Sequence, residues 1–252
     1  MTTLSLVITD STPWKHLFEY LRLSLSDVTL FFTRDTISIV QSNTTHSLLH
    51  QVSIDSTDEL QYKLRTDLLE IGLSLKDLCI FFKSISKRDK VVLSYQEKGQ
   101  SLLRCDVING STMTSVSHLR VKNLDYIPVE SVVHPEHCNL SVHTGELTKV
   151  CNNIGLPKPI RIVVTCYHEG ISFSGFATDD ILLCKYDIGK TQSKEIVKHT
   201  VFPDTIRSLS KLPLMASHGS MVKFYFRQEM PIWIKCSIGI YGTYTLMLRE
   251  EV

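Results

Sequence analysis

The sequence has almost no excess charge: 27 Lys and Arg stand against 26 Asp and Glu, a formal net of +1. That balance excludes a uniformly basic nucleic-acid coat, although positive charge gathered on one surface stays open. No run approaches the roughly 18 apolar residues of a membrane span. The opening MTTLSLV has no basic stretch followed by a long apolar one, so no secretory leader is expected. The seven cysteines (79, 105, 138, 151, 166, 184 and 236) are odd in number and include no CxxC pair. They read as reduced, mostly buried thiols of an intracellular protein. Asn43, Asn109 and Asn139 each open an Asn-x-Ser/Thr triplet, which in that setting carries no meaning for glycosylation.

Catalytic signatures are also missing. GxxxxGK[ST], GxGxxG, HExxH and GxSxG do not occur. The one stretch with metal-ligand composition is His134-Pro-Glu-His137-Cys138, with His143 nearby. Pro135 makes it a loop, so a polar stretch is the first reading and a zinc site the rival. His46, His50, His118, His168, His199 and His218 are scattered with no nucleophile pattern beside them. The expectation is a binding or scaffolding protein, not an enzyme, with no cofactor and no metal. An unrecognised metal-dependent enzyme is the alternative of another class.

What the sequence does have is repetition. At 252 residues, 43% apolar and 21% charged, it can form one large domain or two of about 125 residues. Asp10 to Leu21 opens with turn and cap residues, then places Trp14, Leu17, Phe18 and Leu21 on one helical stripe. At an offset of 133, His143 to Ile154 repeats the stripe with Leu147, Val150, Cys151 and Ile154, with Thr144 as candidate cap. Asp35–Ile39 and Glu169–Phe173 match as strands at offset 134, each continuing to a Leu-Leu pair (Leu48-Leu49, Leu182-Leu183). Second short helices follow. Ser74 precedes Leu75, Leu78, Phe82 and Ile85; Pro203-Asp204 precedes Ile206 and Leu209. Both lead into alternating strands, Lys90–Tyr95 and Val222–Phe226, at offset 131. Four matches in one order predict a tandem duplication of an α+β unit, two short helices on antiparallel sheet. A single irregular α+β domain is the competing reading. Leu119 to His137 lacks helical period and suits an extended connector.

The cations fall on the polar side of these helices. Lys15 and Arg22 share a face of the first, with His16 adjacent; Lys76, Lys83 and Lys87 share a face of the second. Lys149 lies on the third, and Arg207 and Lys211 on the fourth. Glu19 and Asp77 are the main carboxylates among them. Lysines on the solvent face of an amphipathic helix are commonplace. Four such faces in a duplicated frame suit a sparse positive field for a phosphate backbone, with no base-reading group.

At this point the chain resembles the proliferating cell nuclear antigen family, the DNA sliding clamps, as a divergent member of cellular or viral origin. The resemblance rests on Gln41-Ser42 through His46-Ser-Leu48, Ile71-Gly72-Leu-Ser-Leu75, Gly145-Glu146-Leu-Thr-Lys149-Val-Cys151, Gly170-Ile-Ser-Phe-Ser-Gly175, Met230-Pro231-Ile and Tyr241-Gly242. It implies clamp domains at 1–118 and 138–252 joined by the connector 119–137, with subunits meeting edge to edge in a trimeric ring. Candidate edges are Ser111 to Leu119 and Phe176 to Tyr186. Lys15, Arg22, Lys83, Lys149 and Arg207 keep the cation the family has, whereas Ile80, Asn152 and Leu214 replace one. The resemblance further implies a partner groove at His46, Tyr126, Ile127, Val129, Pro231 and Met247, with Arg249 where a small residue is expected. The implied partners are double-stranded DNA without sequence preference, a DNA polymerase, a clamp loader and other proteins carrying a short clamp-binding motif. The implied location is the nucleus, or a viral replication site. A checkpoint-type subunit of a heterotrimer, or a viral processivity factor acting without a closed ring, keeps the fold and changes the biology.

Overall fold

The computed structural model describes residues 2–56, 60–96, 101–110, 112–124, 138–189, 196–216 and 219–249. The first half runs β1 (Leu4–Ile8), α1 (Thr12–Leu21), β2 (Asp27–Phe32), β3 (Thr36–Ser42), β4 (Leu48–Asp55), β5 (Leu60–Leu64), β6 (Leu69–Ser74), α2 (Leu75–Lys83), β7 (Lys90–Tyr95), β8 (Leu102–Asn109) and β9 (Thr112–Arg120). The second runs β10 (Leu140–His143), α3 (Thr144–Ile154), β11 (Arg161–Tyr167), β12 (Gly170–Phe176), β13 (Leu182–Ile188), β14 (Val197–Val201), α4 (Pro203–Ser208), a 3-10 turn (Leu209–Lys211), α5 (Leu212–Met215), β15 (Met221–Tyr225), β16 (Ile232–Ile238) and β17 (Gly242–Leu248). A further 3-10 turn, Thr178–Asp180, sits between β12 and β13.

Two compact units result. The first holds Met1–Gln41, His50–Val129 and Ile238–Tyr244; the second holds Ser42–Leu49, Glu130–Ser237 and Thr245–Val252. Strand order repeats between the halves. The order β1-β7-β8-β9, with β5 added beyond β1, matches β10-β15-β16-β17, and β4-β3-β2-β6 matches β13-β12-β11-β14. The ladders of β1 with β7 and of β10 with β15 are both antiparallel. So are those of β2 with β6 and of β11 with β14. The duplication expected from the offsets is therefore present as topology.

Helix starts follow local chemistry. The amide of Thr12 donates to Asp10 Oδ1 at 2.9 Å, so Asp10 supplies the bond while Ser11 holds the cap position without one. Ser74 caps α2, its hydroxyl accepting from the Asp77 amide at 3.3 Å. Thr144, expected as the cap of α3, is instead its first helical residue: extended His143 takes the cap position. The hydroxyl of Thr144 is not used there, and its carbonyl accepts from Thr148 Oγ1 at 2.9 Å. The expected fourth helix is three pieces, because Pro213 inside the stretch has no amide to donate.

The predicted stripes are the cores. Trp14, Leu17, Phe18 and Leu21 of α1 are buried, as are Leu147, Val150, Cys151 and Ile154 of α3. In the first unit the packing is aromatic: Phe18 lies 6.0 Å from Trp14 and 5.2 Å from Phe82, which meets Phe81 edge-on. In the second, Ile206, Leu209, Leu212 and Met215 complete an aliphatic layer. Beneath the end of α1, buried His50 joins Ser24 Oγ through Nε2 at 2.7 Å and the Tyr244 hydroxyl through Nδ1 at 2.6 Å. Burial drives its pKa down to about 3, so the ring is neutral.

All seven cysteines are free thiols, and five are buried. Burial pushes Cys105, Cys151 and Cys236 up to about 12. The connector as read from the sequence begins inside β9, where Leu119 and Arg120 still pair with β8. Lys122 then bridges to Gly72 of β6, its amide donating to the Gly72 carbonyl at 2.9 Å and its ammonium pairing with Asp27. A Cβ on Gly72 would sit 2.4 Å from the Lys122 carbonyl oxygen, so only glycine admits this close approach. Residues 125–137 lie outside the described residues, and with them Tyr126, Ile127, Val129 and the His134–His137 stretch.

Candidate nucleic-acid interface

In the first unit α1 packs on α2. With the apolar stripes facing inward, Arg22, Lys76 and Lys83 are exposed, and Lys15 and His16 half-exposed. The two helices bring their charges together at Cys79. Burial raises that thiol's pKa, while the Arg22 guanidinium, hydrogen-bonded to it, and the Lys83 ammonium act in the opposite direction. His16 Nδ1 meets Glu19 Oε2 at 3.3 Å. Lys87 does not belong to α2 as its spacing suggested. The Ser84 hydroxyl donates to the Phe81 carbonyl at 2.7 Å and closes the helix after Lys83, which leaves Lys87 in the turn from Ser86 to Asp89.

In the second unit Lys149, Arg207 and Lys211 are exposed on α3, α4 and the adjoining 3-10 turn. Arg207 is not a free cation. Its Nη1 donates to Asp204 Oδ1 at 3.0 Å and its Nη2 to the Gly155 carbonyl at 3.4 Å. The guanidinium thus covers the C-terminal end of α3, where a cation opposes the helix dipole. Asp204, unnoticed among the carboxylates of these faces, belongs with Glu19 and Asp77. Ile80 on α2 and Leu214 on α5 are 59% and 55% exposed, apolar side chains on faces otherwise given to polar groups.

Two strands stand at sheet ends. β9 closes one side of β5-β1-β7-β8-β9, and β13 closes one side of β13-β12-β11-β14. Met113 and Val116 on β9, and Leu182 and Leu183 on β13, are exposed. These are the two segments read as candidate edges, and exposed apolar residues on an edge strand call for a partner.

Of the expected groove residues, Met247 is core, 3% exposed, because β17 is covered on both faces there and Leu246 and Leu248 are buried with it. His46 is exposed at the tip of the Asn43–Leu48 turn in a left-handed conformation, φ 54°. Pro231 lines a cleft of about 570 Å³ in the second unit, together with Ile196–His199, Gln228–Met230 and Arg249. Lys198 and Arg249 were not singled out as binding residues, since only folding brings such distant positions to one cleft. Among the described residues no group of three His, Cys, Asp or Glu is placed to hold a metal.

The whole chain superposes on a subunit of the PCNA2–PCNA3 complex from Sulfolobus tokodaii with a TM-score of 0.83. The match covers 98% of this chain and 99% of that one at 12% identity. It superposes equally on the proliferating cellular nuclear antigen of Entamoeba histolytica, TM-score 0.82, over 100% of both chains at 14% identity. The chain has the PCNA clamp fold. No protein-family model and no curated protein sequence matches it. The clamp fold therefore survives here in the strand order and the buried stripes, with most of the surface sequence replaced.

Proposed function

We propose that this chain is a DNA sliding clamp, a non-enzymatic polymerase processivity factor that encircles duplex DNA as a homotrimer and tethers replication and repair proteins to it. The observation that carries the reading is the set of exposed cations on the short helices of both repeats of a clamp fold: Lys15, Arg22, Lys76 and Lys83 in one, Lys149 and Lys211 in the other. Such a set offers phosphate contacts without base-reading groups. The apolar edges β9 and β13 supply two unlike surfaces, as a head-to-tail ring requires.

The mechanism is topological. A closed ring does not leave DNA sideways, so a few weak, salt-sensitive phosphate contacts suffice and still permit sliding. A tethered polymerase then meets its template at an effective concentration on the order of millimolar, and micromolar contacts become processive. The test is retention on nicked circular DNA after loading, with release on linearisation. A Lys15→Ala, Lys83→Ala, Lys149→Ala, Lys211→Ala chain should still form the trimer by sedimentation yet fail to stimulate a polymerase. Undiminished stimulation, or a stable monomer at micromolar concentration, would sink the reading.

A further inference from the structure

The cleft at Pro231 carries more than a place for a partner. Its walls are β14 on one side, the turn Arg227–Met230 on another and Arg249 at the mouth. The turn is closed by the Met230 amide donating to the Arg227 carbonyl at 3.2 Å, with Glu229 held left-handed at φ 59°. Arg249 is pinned through its backbone, its amide donating to the Ser47 carbonyl at 2.9 Å. Asn43 in turn donates to the Ser47 hydroxyl at 3.1 Å. The mouth is therefore built on fixed backbone.

The chemistry of the lining is specific. Lys198 and Arg249 are exposed, and among the described residues neither forms an ion pair. Among the described residues Glu229 is the one carboxylate at the cleft, which leaves the lining with one excess positive charge. Exposed Ile196, with half-buried Met230 and Pro231, gives an apolar surface beside the cations. A volume of about 570 Å³ is of ligand-site size and takes a few side chains of a peptide. Charge complementarity therefore selects an anionic group next to an apolar one. A single carboxylate fits better than a dianionic phosphate, because Glu229 repels the second charge.

We propose that Lys198 and Arg249 make this cleft a specificity site for partner segments that place an Asp or Glu side chain beside an apolar one. The inference rests on the clamp reading, since tethering needs a partner segment, and it names the class of segment. The carboxylate accepts charge-assisted hydrogen bonds from the two cations, while the neighbouring side chain packs on Met230 and Pro231. Arg249 matters more than Lys198, because its planar fork accommodates a carboxylate bidentately.

The experiment pans a phage library of random 12-residue peptides against the full chain and measures the selected peptides by fluorescence anisotropy. Selected sequences should carry an Asp or Glu within two residues of an apolar anchor, and the Asp→Asn or Glu→Gln peptide should bind at least tenfold more weakly. Arg249→Glu should lose the acidic peptide by tenfold or more and gain the peptide with Lys at that place. That reciprocal rescue is one a misfolded variant would not show. Lys198→Glu should lose less than Arg249→Glu. Selection of no peptide, selection without acidic enrichment, or equal binding by Arg249→Glu overturns the proposal. So does binding only to a variant lacking Glu250–Val252, which would make the chain's own terminus the occupant. Retention on circular DNA does not involve the cleft, so the clamp reading can stand while this proposal falls, and the reverse.

Discussion

The two helix pairs share one architecture and differ in nearly everything chemical. In the first unit α1 and α2 interlock through Trp14, Phe18, Phe81 and Phe82, and their outer faces hold cations that no carboxylate neutralises, the weak His16–Glu19 contact aside. In the second, α3 packs on aliphatic residues, the fourth helix is broken into three, and Arg207 is engaged by Asp204 and the end of α3. Duplication preserved which positions are buried and left charge and side-chain bulk to drift. A grip on phosphate is a sum of weak contacts, so one repeat can carry more of it without cost to the fold.

The sharpest way to break that contrast is in the cores. Phe18 and Cys151 are equivalent at offset 133 and both are buried. Phe18→Ala should cost about 3–5 kcal/mol by urea denaturation, since it empties the centre of an aromatic cluster. Cys151→Ala should cost on the order of 1 kcal/mol, because it removes little more than one methylene's worth of apolar surface. Similar losses would show that the two cores are not as different as their residues.

The next effect is on DNA. Replacing Lys15, Arg22, Lys76 and Lys83 with alanine should lower the slope of log affinity against log salt by about 0.9 for each phosphate no longer neutralised. Lys149→Ala with Lys211→Ala should lower it by about half as much. Ile80→Lys with Leu214→Lys should raise it. Equal slopes for the two alanine sets would refute an uneven grip.

A smaller effect separates the units by pH. His50, in the first unit, has a folded pKa lowered by burial to about 3 from an ordinary 6.5. The unfolded chain therefore takes up the proton first. Stability is fully present above about pH 6.5 and is lost as pH falls towards 3, about 2 kcal/mol of it between pH 7 and 5. Urea denaturation at both values should show that loss in the parent chain and not in His50→Asn. The smallest effect is Arg207→Ala, about 0.3–1 kcal/mol of stability through the uncovered end of α3, with little change in the salt slope. A drop in slope as large as that of Lys149→Ala would return Arg207 to the DNA-facing set.

Periodicity made the buried half of this molecule legible. Trp14, Leu17, Phe18 and Leu21, with their counterparts 133 residues on, are a pattern that burial enforces, and the structure buries all eight. The edges at β9 and β13 were legible for the same reason, since alternating strands at the limits of each repeat have nowhere else to go. What escaped was set by single hydrogen bonds or by long-range pairing. Thr144 has the chemistry of a cap, and only the extended backbone of His143 displaces it. Lys87 keeps helical spacing, and one Ser84 hydroxyl ends the helix before it. Arg207 reads as a solvent cation until Gly155 is found beneath its guanidinium. Met247 matches a groove motif, but the end of β17 is covered on both faces and encloses it. Lys198 and Arg249, 51 positions apart, have no local pattern that unites them.

Burial of the thiols has a practical corollary. With five of the seven enclosed and Cys184 half-covered, Cys138 alone offers a sulfur to solvent. A maleimide dye at neutral pH should attach there first and leave the cores untouched. The wild-type chain thus comes ready for single-molecule tracking, with no engineered cysteine to introduce and none to remove.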